Sequence, residues 1–321
     1  HKRVRKEKRT MKKKIIDVSG YNGVVNWESA KKYGTEGAIL KIIRKDLTRD
    51  KQFNNNYKVC HKNGIPWGVY NYTYATTAKK AESDMNLICD ILDKIDKKYF
   101  KYGIWFDIED SIQAKLSKSR IAEIINTAQR VVEKRGYKFG IYTGMAYRAE
   151  HIDRKAVNCK VYWIARYYKG YEEMRIAENP NEKYRPAGQD TAWQYTSSCV
   201  FPESISTGNK NRFDASIWYT NEDEKKEDTK QEDTKKEEKP KEKKGYTGSF
   251  PVLKEKEYLA RPDGIKTKGK RKNVQKMQRF LNWALGEKLK VDGKIGSKTE
   301  IAIERFQELV GIKVDGKFGV A

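Results

Sequence analysis

Four cysteines and three histidines are spread through 321 residues, and what they fail to form is the first constraint on the chain. Cys60, Cys89, Cys159 and Cys199 contain no CxxC pair. They make no ligand cluster with His1, His61 or His151, so no metal and no other cofactor is expected. The thiols read as structural or surface residues, with a chance disulfide left open. No apolar run approaches the roughly 20 residues of a membrane helix, so membrane insertion is not expected. The basic run His1 to Lys14 is followed by no apolar segment, so it does not read as a signal peptide. The expectation is cytoplasmic synthesis, with any action outside the cell depending on release by other means. Helix-turn-helix, zinc-finger and RNA-binding signatures are missing too, which argues against nucleic acid as the partner.

What is present is charge and aromatic side chains. Charged residues make up 35% of the chain and aromatics 12%, and a wholly disordered chain would not carry so many aromatics. The net charge of +24 divides into +8 over residues 1–14, +9 over 15–220, −1 over 221–245 and +8 over 246–321. Both parts expected to fold are therefore basic, which favours polyanionic partners; anionic cell-wall polymers are among the candidates. Residues 1–13 read as a basic arm, native or an appended segment, with Met11 a candidate natural start. Residues 221–245 are Glu, Asp, Lys and Thr, with the tetrad Glu-Asp-Thr-Lys at 227–230 and again at 232–235, and they read as a charged flexible linker.

The stretch that organises residues 14–220 is Ile104-Trp105-Phe106-Asp107-Ile108-Glu109-Asp110. As a strand it turns Ile104, Phe106 and Ile108 to one face and Trp105, Asp107 and Glu109 to the other. Two carboxyls at the end of an apolar strand can be driven to different pKa values, giving one proton donor and one standing anion. Glycosidic bond cleavage needs that division of roles. Further strands are expected at 14–20, 37–43, 66–74, 139–143, 161–167, 192–196 and 212–216. Helices are expected after Asn26, over 50–63, over 77–96 and over 117–135. Five strand–helix units followed by three strands without regular helices predict an α/β fold, an irregular (β/α)5β3 barrel of the TIM type. Such barrels carry their chemistry at the C-terminal strand ends. Asp17, Lys41, Tyr70, Asp107, Glu109, Tyr142, Tyr167, Tyr195 and Asp214 all fall within or near those ends, and with Trp163 and Trp193 the aromatics would line a saccharide groove.

The ordered set Asp17-Val18-Ser19, Trp105-Phe106-Asp107-Ile108-Glu109, Ile141-Tyr142-Thr143, Trp163-Ile164-Ala165, Trp193-Gln194-Tyr195 and Phe213-Asp214 resembles glycoside hydrolase family 25. This is the lysozyme family of bacteria and phages, and the resemblance spans about 15–220. It implies a muramidase that cuts between N-acetylmuramic acid and N-acetylglucosamine in bacterial peptidoglycan. In that reading Glu109 is the general acid. Asp107 stabilises charge at the anomeric carbon or orients the substrate's N-acetyl group, and Asp17 and Asp214 hold water or tune Glu109. Lys41, Tyr70, Tyr142, Trp163, Tyr167, Trp193 and Tyr195 are the expected sugar contacts. A chitinase-like glycosidase and a non-catalytic wall lectin stand as alternatives.

Residues 246–321 carry two amphipathic helices, 273–285 and 299–310, each followed by the turn V-D-G-K-x-G, at 291–296 and 314–319. This region resembles the small helical peptidoglycan-binding domain appended to wall hydrolases. It reads as an all-α wall-binding domain that ends where a closing segment is expected. A monomer is the expected state.

Overall fold

The computed structural model describes residues 10–186, 191–221, 246–251, 253, 258–260, 271–286, 288–309 and 316–319. The basic arm at 1–9, the linker at 222–245 and the start of the second V-D-G-K turn at 314–315 lie outside the described residues. The chain divides into two compact units, His1–Lys235 and Lys236–Ala321.

The first unit contains strands β1 (Thr10–Val18), β2 (Gly37–Lys41), β3 (Trp67–Tyr72), β4 (Phe100–Asp107), β5 (Phe139–Gly144), β6 (Tyr162–Ala165), β7 (Met174–Arg175), β8 (Ala192–Val200) and β9 (Phe213–Asn221). Its helices are α1 (Trp27–Lys32), α2 (Phe53–Lys62), α3 (Ala78–Leu92), α4 (Ser111–Ala114), α5 (Lys118–Lys134) and α6 (Met145–His151). Strands β1 to β6 pair in parallel succession and β6 pairs in parallel with β8. The antiparallel pairs β8–β9 and β9–β1 close the barrel, and β7 adds a two-residue extension to β8. Eight strands therefore form the wall, with the five β/α units and three closing strands expected from the sequence. β1 begins at Thr10, and Met11, Lys12 and Lys13 pair with Thr220, Tyr219 and Trp218. Part of the stretch expected as an arm is thus built into the barrel.

Local chemistry explains where the helices start. Asn26, Thr77 and Ser117 cap α1, α3 and α5 by accepting from the backbone N–H of Ser29, Lys80 and Arg120. Asp110 opens α4 with a capping box completed by Gln113. The long helices α3 and α5 turn Leu87, Ile88, Ile91 and Leu92, and Ile121, Ile124, Ile125 and Val132, into the layer between helices and barrel.

Strand alternation separates this outer layer from the barrel interior. Ile15, Ile39, Trp105, Trp163, Ala192 and Trp218 fill the lower barrel. The indoles meet edge to face or tilted, with centroids 5.8 Å apart for Trp105 and Trp163 and 5.1 Å apart for Trp105 and Trp218. Gly140 makes room for this cluster, since a Cβ there would lie 2.3 Å from the Trp105 ring. With the floor plugged by indoles, polar side chains can face inward only at the upper, C-terminal strand ends.

The second unit is built on α7 (Arg271–Leu285) and α8 (Ser297–Leu309), with a short antiparallel pair between β10 (Tyr258–Leu259) and β11 (Phe318–Gly319). Val274, Met277, Phe280 and Leu281 of α7 pack with Ala302 and Ile303 of α8, Leu289 and Ile295. The repeated turn has a repeated anchor. The Gln278 amide accepts from Gly293 N at 2.9 Å and donates to Lys294 O at 2.9 Å. Gln307 makes the equivalent pair with Gly316 N at 3.0 Å and Lys317 O at 2.8 Å. Gly293 and Gly316 have φ of 73° and 69°, which explains the glycine in each copy of the motif.

Candidate active site

Four carboxyls from three strands meet at the upper end of the barrel. Asp17 on β1 and Asp214 on β9 are directly opposed in the antiparallel register and share a hydrogen bond. Asp17 is only 6% exposed. Burial first, and then the facing Asp214 carboxyl, hold its pKa well above the usual carboxylate range. Burial also raises Asp214, opposed by the hydrogen bond from Asp17. Such a pair retains a proton that two separate aspartates would have lost, and the two carboxyls share it.

Gln194 on β8 ties this pair to the aromatic side of the mouth. Its Nε2 donates to Asp17 Oδ2 at 2.9 Å, while its Oε1 accepts from the hydroxyls of Tyr142 at 2.7 Å and Tyr167 at 2.6 Å. The amide is buried and used in both directions, donating to a carboxyl and accepting from two hydroxyls. Its indole neighbour Trp163 lies lower, donating to Ser216 Oγ at 3.0 Å as part of the floor.

Asp107 ends β4 between Tyr72 of β3 and Tyr142 of β5. It is 4% exposed, and its Oδ1 is buried without a hydrogen-bond partner among the described residues. Burial and then the nearby Glu109 raise its pKa well above the usual range, against the opposing pull of Lys41. The Lys41 ammonium lies over the Tyr70 and Tyr72 rings at 5.8 and 5.9 Å, which keeps a cation beside Asp107 without neutralising it by direct contact.

Glu109 stands two residues further on, where the chain has left β4. Ile108 continues the ladder by donating to Tyr142 O at 3.0 Å and accepting from Thr143 Oγ1 at 2.8 Å, which fixes the base from which Glu109 projects. Gly144 N donates to Glu109 Oε2 at 3.1 Å. Desolvation raises the Glu109 pKa and this backbone bond opposes the rise. Glu109 lines a cleft of about 380 Å³ with Tyr142, Gly144, Met145, Ala165, Arg166 and Tyr167. The arrangement therefore offers a partly accessible carboxyl biased towards its acid form, beside a buried acceptor that lacks a donor.

Of the residues expected from sequence, the structure brings together Asp17, Asp107, Glu109, Asp214, Lys41, Tyr70, Tyr142 and Tyr167. It does not bring Trp193 and Tyr195 to the mouth. They flank Gln194 in the strand, so alternation turns them outward, and they are 0% and 1% exposed. Trp193 Nε1 donates to Arg166 O at 3.0 Å, and its ring packs against Tyr168 and Tyr195. The sequence reading missed Gln194. Strand parity was the available signal, because a polar residue between two large aromatics marks the opposite face. Asp110 was likewise unassigned; besides capping α4 it accepts from the Tyr72 hydroxyl at 3.1 Å.

Residues 16–204 match the profile of glycosyl hydrolases family 25, well over half of the chain. The chain belongs to that family. Residues 270–321 match a peptidoglycan binding domain profile, and no curated protein sequence matches the chain. Among solved structures, the family 25 barrel is similar to the modular autolysin LytC from Streptococcus pneumoniae in complex with a synthetic peptidoglycan ligand. Identity is 26% and the TM-score 0.51, over 65% of this chain and 47% of that one. The chain thus spans about half the length of the pneumococcal autolysin. The spore cortex lytic enzyme SleM of Clostridium perfringens is similar at 20% identity and a TM-score of 0.51, over 66% of this chain and 69% of that one. The catalytic domain of endolysin ply40 from bacteriophage P40 of Listeria monocytogenes is similar at 19% identity and a TM-score of 0.50, over 64% and 92%. The last two bear on the fold alone.

Proposed function

We propose that this family 25 member is an N-acetylmuramidase, cleaving the β-1,4 bond from N-acetylmuramic acid to N-acetylglucosamine in peptidoglycan, and that it acts at the bacterial cell wall. The observation that carries the reading is the juxtaposition of Glu109, raised in pKa and open to the cleft, with the buried and unpartnered Asp107 Oδ1. Glu109 gives its proton to the glycosidic oxygen as the bond breaks. An acetamido N–H of the bound sugar supplies the donor that Asp107 lacks. Held there, the acetamido carbonyl oxygen is aimed at the anomeric carbon and forms the new bond as the leaving group departs. Water then opens this intermediate, with Glu109 taking back a proton. Asp17 and Asp214, with their retained proton, keep the number of negative charges near Glu109 low, and Gln194 fixes their geometry. Tyr70, Tyr142 and Tyr167 line the sugar path.

The second unit, with its match to peptidoglycan binding domains, is proposed to hold the enzyme to wall; anionic wall polymers are a further partner consistent with the net charge of +24. The test is product analysis. Purified peptidoglycan treated with the protein should yield new reducing ends that are muramic acid, while chitin oligomers stay intact. New reducing ends on glucosamine, cleavage of chitin, or binding without cleavage would each reject the assignment.

A further inference from the structure

A second groove, of about 770 Å³, begins where the catalytic cleft ends, and Met145 lines both. Its lining combines apolar side chains, Met145 and Ala149 from α6 and Ile152 just beyond it, with the buried Arg148. Its rim is cationic, with Lys118 from the first residue of α5, and Arg154 and Lys155 from the loop after α6. The Arg148 and Arg154 guanidinium groups lie 5.7 and 5.6 Å from the centroid of the Tyr162 ring, which holds the Arg154 charge at the groove edge. The one acidic lining residue, Asp153, is turned to its own loop, accepting from Lys155 N at 2.9 Å. None of these residues takes part in the carboxyl network at the mouth.

We propose that this groove is a subsite for an acidic peptide branch carried by the glycan, so that the enzyme reads the peptide substitution of its substrate as well as the sugar chain. Two properties select this ligand over a phosphodiester polymer. A uniform polyanion gains nothing from the apolar side chains of Met145, Ala149 and Ile152, whereas a short peptide with small apolar side chains does. Three exposed cations from two separate segments, Lys118 and the pair Arg154 and Lys155, match a few separated carboxylates better than a continuous charge. Continuity through Met145 places the branch point next to Glu109, where the substituted sugar must sit. The proposal rests on the wall-glycan reading and deepens it.

The test separates the two ideas. Binding of a synthetic N-acetyl-Ala-Glu-Ala-Ala peptide with a free C-terminus, which carries separated carboxylates and no cation, is followed on the full chain by NMR shifts or calorimetry. The comparison is with Lys118→Glu/Arg154→Glu/Lys155→Glu and with the milder Lys118→Ala/Lys155→Ala. The parent should bind with an affinity that falls as salt rises. The triple variant should bind roughly tenfold or more weakly, and the milder one should fall between. On glycan, the parent should cut peptide-bearing chains with a higher kcat/KM than chains stripped of peptide. Both variants should lose that preference through KM while keeping the parent rate on stripped chains. Peptide binding that is absent in the parent or unchanged in the variants overturns the subsite. A parent that cuts neither glycan overturns the muramidase reading instead, and the peptide titration still decides the groove.

Discussion

Asp17 and Asp214 face each other across two strands, an arrangement that costs stability when both are ionised. All four mouth carboxyls have pKa values raised in the fold, chiefly by burial. A raised pKa means that the folded protein binds the proton more tightly than the unfolded chain. The associated stability is complete below the unfolded carboxyl range near about pH 4 and is lost as pH rises through the folded values. Asp17→Asn removes the charge, keeps an oxygen for Gln194 to donate to, and supplies an N–H towards Asp214. Thermal unfolding at pH 7 to 8 should therefore show a higher Tm, by roughly 2–4 °C for each kcal/mol of repulsion relieved, with reduced hydrolysis. An unchanged Tm would show that the pair stores no repulsion. Gln194→Leu should do the opposite. It leaves the Tyr142 hydroxyl and the Asp17 carboxyl with lost partners in a buried setting, at roughly 1–3 kcal/mol for each, and urea unfolding should show a lower midpoint together with a loss of activity.

The barrel wall holds the carboxyls only because its lower half is packed by indoles, and Gly140 on β5 is where that packing is tightest. Gly140→Ala should cost roughly 1–3 kcal/mol through overpacking against Trp105, measured by denaturant unfolding; a neutral result would mean that the floor yields easily. In the second unit, Gln278→Ala removes the clamp on the first V-D-G-K turn and should lower the stability of that unit by roughly 1–3 kcal/mol without moving the transition of the barrel. Much at this scale was legible in the sequence. The period-2 pattern through Trp105, Asp107 and Glu109 gave the inward face of β4 correctly, and the cap at Asn26 follows from residue type. Trp193 and Tyr195 share one face of β8 and Gln194 and Thr196 the other; they were misplaced because an aromatic face can equally line a groove or pack beneath helices, and only the register with β6 and β9 tells which side is inside. The turn repeat was visible, but the glutamines that clamp it sit in the helices at unequal spacings, 15 residues before Gly293 and 9 before Gly316, so no common local pattern marks them.

At the scale of the whole molecule, two separately packed units on one basic chain imply division of labour. Truncation to the barrel should leave turnover on soluble glycan fragments unchanged and reduce the rate on insoluble wall at low enzyme concentration, the regime in which a second binding unit raises the effective concentration of the first. Equal rates on insoluble wall would mean that the second unit adds no retention. The central claim is the acid role of Glu109 in a family 25 barrel, and the release of muramic-acid reducing ends by Glu109→Gln relative to the parent tests it most directly. The variant should stay folded while its rate falls by roughly 10²–10⁴-fold, the usual contribution of a positioned general acid. A folded variant that keeps the parent rate would contradict it.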